Sequence, residues 1–169
     1  MTLRLPPHAL DSDLVFNFFW KFSVFECALK REGFLKSGRK NAAEPDWDSF
    51  GREVQGQFAQ VSVSGFKDAV DELISLSPQR QVVCNGQLGW DAVLRQKDDS
   101  EEVFLLRLLK VSRNNLFHGG KYPDGTITEI AHNRKILLAA LTILEGCYEL
   151  HAGVKLRIDE AAQGSFSRI

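Results

Sequence analysis

The sequence predicts an all-α fold, a bundle of four to five helices in a single domain. Apolar residues recur every three or four positions over several segments, which is the spacing of one helix face. Capping residues stand at the starts of these segments, and the internal prolines fall at their boundaries. With 169 residues, of which 44% are hydrophobic, the chain can bury one substantial core. We expect an amino-terminal arm at residues 1–11, a helical domain at 12–150 and a tail at 151–169.

The first predicted helix runs from about Leu14 to Arg31, behind the capping sequence Asp11-Ser12-Asp13. Its apolar residues surround it almost completely: Val15, Phe16, Phe18, Phe19, Trp20, Phe22, Val24, Phe25 and Leu29. A helix that is apolar on every side must be covered on every side. Either it is simply the central helix, or a second copy of the chain covers part of it, and we expect a homodimer that uses this helix.

Glu26 is the one acidic residue in the middle of this helix. A buried carboxylate is costly unless it is paired. Two interpretations stay open: Glu26 pairs with Arg113 or His118 and orients them, or it lies at an exposed edge of the helix.

A basic, glycine-containing segment follows at residues 33–44, and the sequence predicts a loop there. Lys36, Arg39 and Lys40 are candidates for a patch that follows the phosphates of a bound RNA. The alternative is an ordinary solvated loop.

Two shorter helices and an irregular connection are predicted in the middle of the chain. Pro45 suits the first position of a helix. Apolar residues then recur at helical spacing: Trp47, Phe50, Val54, Phe58 and Val61. A third helix is expected from Ser64 to Leu76. Residues 81–96 contain the turn signal Asn85-Gly86 and are predicted to form an irregular connection with short helical pieces.

Two longer helices are predicted in the last third of the chain. The first runs from Ser100 to Phe117 and ends at the glycine pair Gly119-Gly120. Thr126 and Glu129 then fit a capping box for a helix that reaches about Leu150. Because the connection between them is short, the two helices should pack antiparallel. In the tail, the alternation of apolar residues favours a short strand or a docking segment.

A polar cluster closes the Ser100–Phe117 helix: Arg113, Asn114, Asn115 and His118. A helix break at the glycines would let Arg113 and His118 point into one space, since residues five apart on a straight helix diverge by about 140°. Histidine at a helix carboxyl end can accept and return a proton near neutrality, and arginine offers a fork of donors to phosphoryl oxygens. Asn114 and Asn115 could orient the imidazole or a substrate hydroxyl. Equally, all four residue types are ordinary at helix ends, where they bond the last carbonyls.

The sequence Arg113-Asn114-Asn115-Leu116-Phe117-His118 has the form R-x4-H, and it resembles the R-x4-6-H signature of the HEPN superfamily. The asparagine after the arginine, the sequence Phe117-His118-Gly119 and the long closing helix strengthen the resemblance, which covers residues 12 to 150. Many HEPN proteins are metal-independent endoribonucleases in which arginine and histidine of two subunits meet across a two-fold axis. The resemblance thus implies Arg113 and His118 as catalytic residues supported by Asn114, RNA as the substrate, a homodimer and no metal. For such a nuclease, Asn115, Lys36, Arg39 and Lys40 are the candidate substrate-binding residues, and no cofactor is expected.

The resemblance also implies a setting, in a toxin pair or in phage defence, with an antitoxin or another regulatory protein as a partner. Toxins of this superfamily that are paired with a nucleotidyltransferase antitoxin often carry a tyrosine two residues after the histidine. This chain has Gly120 at that position.

Charge and cysteine content restrict the choice further. The net charge is −1, so RNA binding must rely on a local patch. Cys27, Cys84 and Cys147 lie in apolar segments and are predicted to be reduced core residues of a cytoplasmic protein. No segment resembles a signal peptide or a membrane span, so we expect a soluble protein with no membrane partner. The alternative function is a noncatalytic helical protein-interaction module, whose aromatic first helix binds a partner.

Overall fold

The computed structural model describes residues 10–117 and 127–164, and these form a predominantly helical protein. Within these ranges there are six α-helices: α1 (Ser12–Arg31), α2 (Trp47–Glu53), α3 (Phe66–Leu76), α4 (Glu101–Phe117), α5 (Ile127–Leu150) and α6 (Ala152–Ala162). They are accompanied by two antiparallel hairpins, one of β1 (Leu35–Ser37) with β2 (Ala43–Pro45) and one of β3 (Arg80–Cys84) with β4 (Gln87–Asp91). The predicted helical character is confirmed. The hairpins and the sixth helix differ from a purely α bundle of four to five helices.

Helix α1 begins at its predicted capping sequence. The Asp11 side chain accepts a hydrogen bond from the main-chain N–H of Asp13, at 2.9 Å. One face of the helix is buried: Phe18, Phe22, Phe25, Ala28 and Leu29. That face packs against α5, α6 and the aromatic side chains of α2.

The two long carboxyl-terminal helices build the other side of the core. Leucines along α4 are fully buried against α2 and α3: Leu105, Leu106, Leu108 and Leu109. Helix α4 runs antiparallel to α1, since Phe117 lies opposite Phe19 while Arg113 lies opposite Glu26. Helix α5 packs mainly against α3 and α1.

The second predicted helix is much shorter than its apolar spacing indicates. Pro45 is the last residue of β2, and the Asp46 side chain caps α2 by accepting from the N–H of Ser49 at 3.1 Å. The helix ends at Glu53, and Gly56 follows with a φ of +79° that interrupts helical geometry. Of the later apolar residues of the pattern, Phe58 begins a single 3-10 turn at Phe58–Gln60, and Val61 follows that turn.

Both segments that were expected to be irregular form hairpins. Residues 35–45 pair as β1 and β2 around a 3-10 turn, in place of the predicted basic loop. Residues 80–91 pair as β3 and β4, in place of a connection with helical pieces. Asn85 and Gly86 have φ values of 52° and 77°, as a two-residue hairpin turn requires. The Asn-Gly turn signal therefore corresponds to a hairpin turn, and the prediction of an irregular connection with helical pieces is wrong.

The tail forms a helix, so the prediction of a short strand there is wrong. The Nδ1 atom of His151 caps α6 by accepting from the N–H of Val154 at 3.2 Å. Val154 is fully buried, and the Tyr148 hydroxyl donates to Asp159 at 2.6 Å. Residues 152–162 thereby pack onto α1 and α5 as part of the helical body.

The three cysteines occupy different environments. Cys147 is buried, and desolvation raises the pKa of its thiol to about 12. Cys27 is half-buried, whereas Cys84 is exposed on β3, so the prediction of three core cysteines is wrong for Cys84.

In the part of the chain that the structure describes, no single helix has both the length and the apolar composition of a membrane span. The pair formed by residues 129–150 and 152–162, which bend by 111°, meets those criteria only when joined.

Candidate active site

Arg113 lies in the last turns of α4 and faces the middle of α1. Its Nη2 group lies 2.6 Å from Oε2 of Glu26. The side chain of Arg113 is 28% exposed and that of Glu26 is 16% exposed, so the ion pair is at the edge of the core. Of the two interpretations of Glu26, the pairing with Arg113 is the one that the structure shows, and Glu26 is not an exposed, unpaired residue.

The second carboxylate oxygen of Glu26 also has a donor. The indole Nε1–H of Trp47 lies 3.2 Å from Oε1 of Glu26. Trp47 is 1% exposed, and its ring stacks on Phe25 with centroids 5.4 Å apart and an interplanar angle of 10°. Glu26 therefore links a rigid core side chain to the guanidinium of Arg113.

Aromatic rings pack around the guanidinium. Its central carbon lies 5.3 Å from the ring centroid of Phe22 and 5.5 Å from that of Phe117, which are cation–π distances. Phe117 in turn packs on Phe19, with ring centroids 4.8 Å apart. These contacts hold the head group of Arg113 at the junction of α1 and α4.

Asn114 is the second polar residue at this junction. Its Oδ1 atom accepts a hydrogen bond from Nη1 of Arg113 at 2.9 Å. A guanidinium has five N–H donors, and the bonds to Glu26 and Asn114 use two of them. The structure thus brings the adjacent residues Arg113 and Asn114 into side-chain contact. The predicted role of Asn114, orienting the imidazole or a substrate hydroxyl, stays a prediction.

His118 follows Phe117 directly in the chain but lies outside the described residues, as do the glycine pair and Thr126 of the predicted capping box. The predicted convergence of Arg113 and His118 therefore stays a prediction. Phe117, the last described residue of α4, is 46% exposed.

Asn115 has a role that the sequence did not indicate. It is 3% exposed, and its Nδ2 group donates to the main-chain carbonyl of Gln79 at 2.6 Å. This bond fixes the segment between α3 and β3 against α4. A side chain so enclosed does not present its amide to a substrate, so Asn115 is not included in the site.

The basic residues proposed for RNA binding are exposed and belong to the first hairpin. Lys36 is in β1, while Arg39 and Lys40 form its 3-10 turn, with a φ of 56° at Lys40. The contacts described for Arg113 come from α1 and α4 and not from this hairpin. The structure therefore does not join these three side chains to the Arg113 cluster.

Beside the site, α1 presents an uncovered aromatic surface. Phe16 is 64% exposed and Trp20 is 59% exposed, and their rings stack with centroids 6.5 Å apart and an interplanar angle of 8°. Phe19, one residue before Trp20, belongs to the Phe117 contact, so this surface adjoins the Arg113 cluster. The core covers only part of α1, whose apolar residues go nearly all the way round, so the prediction that a second copy covers the rest stays a prediction.

Trp47 contacts the site through Glu26, although its helical spacing predicted only a core position. An indole N–H needs a partner when it is buried, and Glu26 was the one acid among the aromatic residues of α1. Those two facts together were the available signal for the Trp47–Glu26 bond.

Comparisons of this chain with protein-family models, with curated proteins and with solved structures gave no match.

Proposed function

We propose that this protein is a metal-independent endoribonuclease of the HEPN type, which works as a homodimer through Arg113 and His118. The observation that supports the proposal is the fixed guanidinium of Arg113. It is held by Glu26 and Asn114 and lies at the edge of the core. The R-x4-H sequence places a histidine five positions after it.

In the proposed mechanism, His118 removes the proton from an RNA 2′-hydroxyl, and the 2′-oxygen attacks the adjacent phosphorus. The bond to the 5′-oxygen breaks, and the partner subunit's His118 returns a proton to that leaving group. Arg113 donates to the phosphoryl oxygens, on which charge increases in the transition state. The products are a 2′,3′-cyclic phosphate and a 5′-hydroxyl. The nucleophile belongs to the substrate, so the mechanism needs no metal ion.

The homodimer uses the uncovered surface of α1. Stacked aromatic rings with more than half of their area exposed are typical of protein interfaces. Two-fold packing through Phe16 and Trp20 would bring two copies of the neighbouring Arg113 cluster close to one another. A role in a toxin pair or in phage defence, with a regulatory protein as partner, is part of the same proposal and is supported by the HEPN resemblance alone.

RNA cleavage in excess EDTA tests the proposal. We expect the wild-type protein to produce 2′,3′-cyclic phosphate ends, identified by mass spectrometry. His118→Ala should lower the rate by about 10²- to 10⁴-fold, because it removes the general base. Arg113→Ala should lower it by about 10²- to 10³-fold, as loss of a donor to the transition state does elsewhere.

Matched controls separate the site from surface charge and from histidine content. Arg52→Ala removes an exposed arginine on α2, and His8→Ala removes a histidine near the chain start. Both variants should cleave as the wild type does. Cleavage by His118→Ala at the wild-type rate would reject the assignment.

The second candidate is a noncatalytic helical interaction module, and the exposed Phe16–Trp20 stack favours it equally well. In that case the α1 surface binds another protein, and the contacts of Arg113 only stabilise the junction of α1 and α4. A strictly monomeric protein that leaves RNA intact would support this candidate.

A further inference from the structure

Glu26 does more at the α1–α4 junction than neutralise a neighbouring charge. Each of its carboxylate oxygens has its own donor, Nη2 of Arg113 at 2.6 Å and Nε1 of Trp47 at 3.2 Å. Trp47 is held between Phe25 and Phe22, at ring-centroid distances of 5.4 and 5.0 Å, and is 1% exposed. One carboxylate oxygen of Glu26 is therefore fixed by a buried core side chain, and the other binds the guanidinium of Arg113.

The ion pair with Glu26 has two opposite effects on a guanidinium that binds a phosphate. It restricts the orientation of the donors of Arg113, and orientation is a large part of catalysis. Its negative charge also lies within hydrogen-bonding distance of the group that binds the phosphate, so it repels the substrate. The first effect raises kcat, and the second weakens substrate affinity.

We infer that Glu26 is a positioning residue that fixes Arg113 for RNA cleavage at the expense of affinity for the RNA phosphate. The inference rests on the proposed ribonuclease function. Packing alone does not require a carboxylate here. The Trp47 indole needs only an acceptor, which a neutral amide in place of Glu26 would also provide. An aliphatic side chain in place of Arg113 could fill the space beside Phe22 and Phe117.

Glu26→Gln is the informative variant, because it keeps the size of the side chain and an acceptor for Trp47 while it removes the charge. We expect kcat for RNA cleavage to fall by about 10- to 100-fold, as loosened orientation does. We expect a non-cleavable 2′-O-methyl RNA of the same sequence to bind about two- to fivefold tighter, which is the range of a partly exposed ion pair.

Two further variants distinguish orientation from charge. Trp47→Phe removes the indole donor but keeps the carboxylate, so kcat should fall without tighter binding. Asp91→Asn neutralises one partner of an equally short ion pair, with Arg80 on the second hairpin, and should change neither quantity. Circular dichroism melts of each variant show the temperature range in which it is folded.

The outcomes separate the inference from the function on which it rests. Suppose that the wild-type protein cleaves RNA and that Glu26→Gln lowers kcat, but RNA affinity is unchanged or weaker. This result would overturn the inferred role of Glu26 and leave the nuclease function standing, since a purely structural contact gives the same result. Wild-type protein that fails to cleave RNA would overturn the nuclease proposal and the kcat effect with it. Binding of the 2′-O-methyl RNA to the wild type and to Glu26→Gln then tests whether the carboxylate competes with the phosphate for Arg113. Equal dissociation constants for the two proteins would overturn that competition as well.

Discussion

The amide of Asn115 donates to the main-chain carbonyl of Gln79 at 2.6 Å, whereas the amide of its neighbour Asn114 contacts the guanidinium of Arg113. Adjacent asparagines on a helix point in different directions, about 100° apart. Asn115 therefore reaches the connection between α3 and β3, and Asn114 reaches the partly exposed site. The two residues are chemically identical, so substitution of each separates stability from activity.

We expect Asn115→Ala to lower the free energy of unfolding by about 0.5–1.5 kcal/mol, because it removes the hydrogen bond from the buried Asn115 amide to the Gln79 carbonyl. Cleavage of RNA per folded molecule should be retained. Asn114→Ala should have a smaller effect on stability and lower the cleavage rate, because Arg113 loses a partner. Urea unfolding and a cleavage assay on the same samples measure both effects. A reversed pattern, with activity lost only in the Asn115 variant, would return Asn115 to the site.

The sequence allowed the helices to be predicted because they depend on local apolar spacing and capping residues. It did not distinguish Asn114 from Asn115, because their roles depend on what packs against each side of α4. The partner of Glu26 was left open for the same reason, since Trp47 and Arg113 are distant in the chain. The short α2 shows a further limit: apolar spacing continued to Val61, but the helix ends at Glu53, and Gly56 follows with left-handed backbone geometry.

The cysteines provide a test of burial that does not depend on function. Alkylation by iodoacetamide in mildly alkaline buffer should modify Cys84 rapidly, because its side chain is exposed. Cys147 should react only after unfolding, because it is enclosed and burial raises the pKa of its thiol to about 12. Mass spectrometry of proteolytic peptides identifies the modified sites, and Cys84→Ser serves as the control. Modification of Cys147 in the folded protein would contradict the packing of α5.

The start of α4 should be sensitive to acid through Asp99. Its carboxylate accepts two hydrogen bonds from Arg107, at 2.6 and 3.0 Å, and one from the N–H of Gln96 at 2.8 Å. The bond from Arg107 lowers the pKa of Asp99 below its ordinary value of 3.8 and outweighs the opposing effect of burial. The unfolded chain therefore binds this proton more readily. The stabilisation is present above about pH 3.8 and is lost as the pH falls through the folded-state pKa.

We accordingly expect Asp99→Asn to lower the melting temperature by about 3 °C or more near neutral pH, and the difference from wild type to shrink as the pH falls below 3.8. Melts followed by circular dichroism over a pH series measure it. Asp91→Asn, which disrupts an exposed ion pair with Arg80, should have little effect near neutral pH. A deficit of the Asp99 variant that stays constant into strong acid would contradict the pKa effect.

The proposed homodimer depends on the aromatic surface of α1, and a charge placed there should separate the subunits. Trp20→Asp introduces a carboxylate at a position that is 59% exposed in one chain, so the fold of each subunit should persist. Burial of that charge at an interface would be costly, so we expect a monomer by sedimentation velocity and loss of RNA cleavage. Val83→Asp changes an apolar residue that is 78% exposed on β3 and should leave the dimer intact. Trp20→Asp protein that stays dimeric would place the interface elsewhere. Wild-type protein that is monomeric at micromolar concentration and still cleaves RNA would show that one copy of the Arg113 cluster is sufficient.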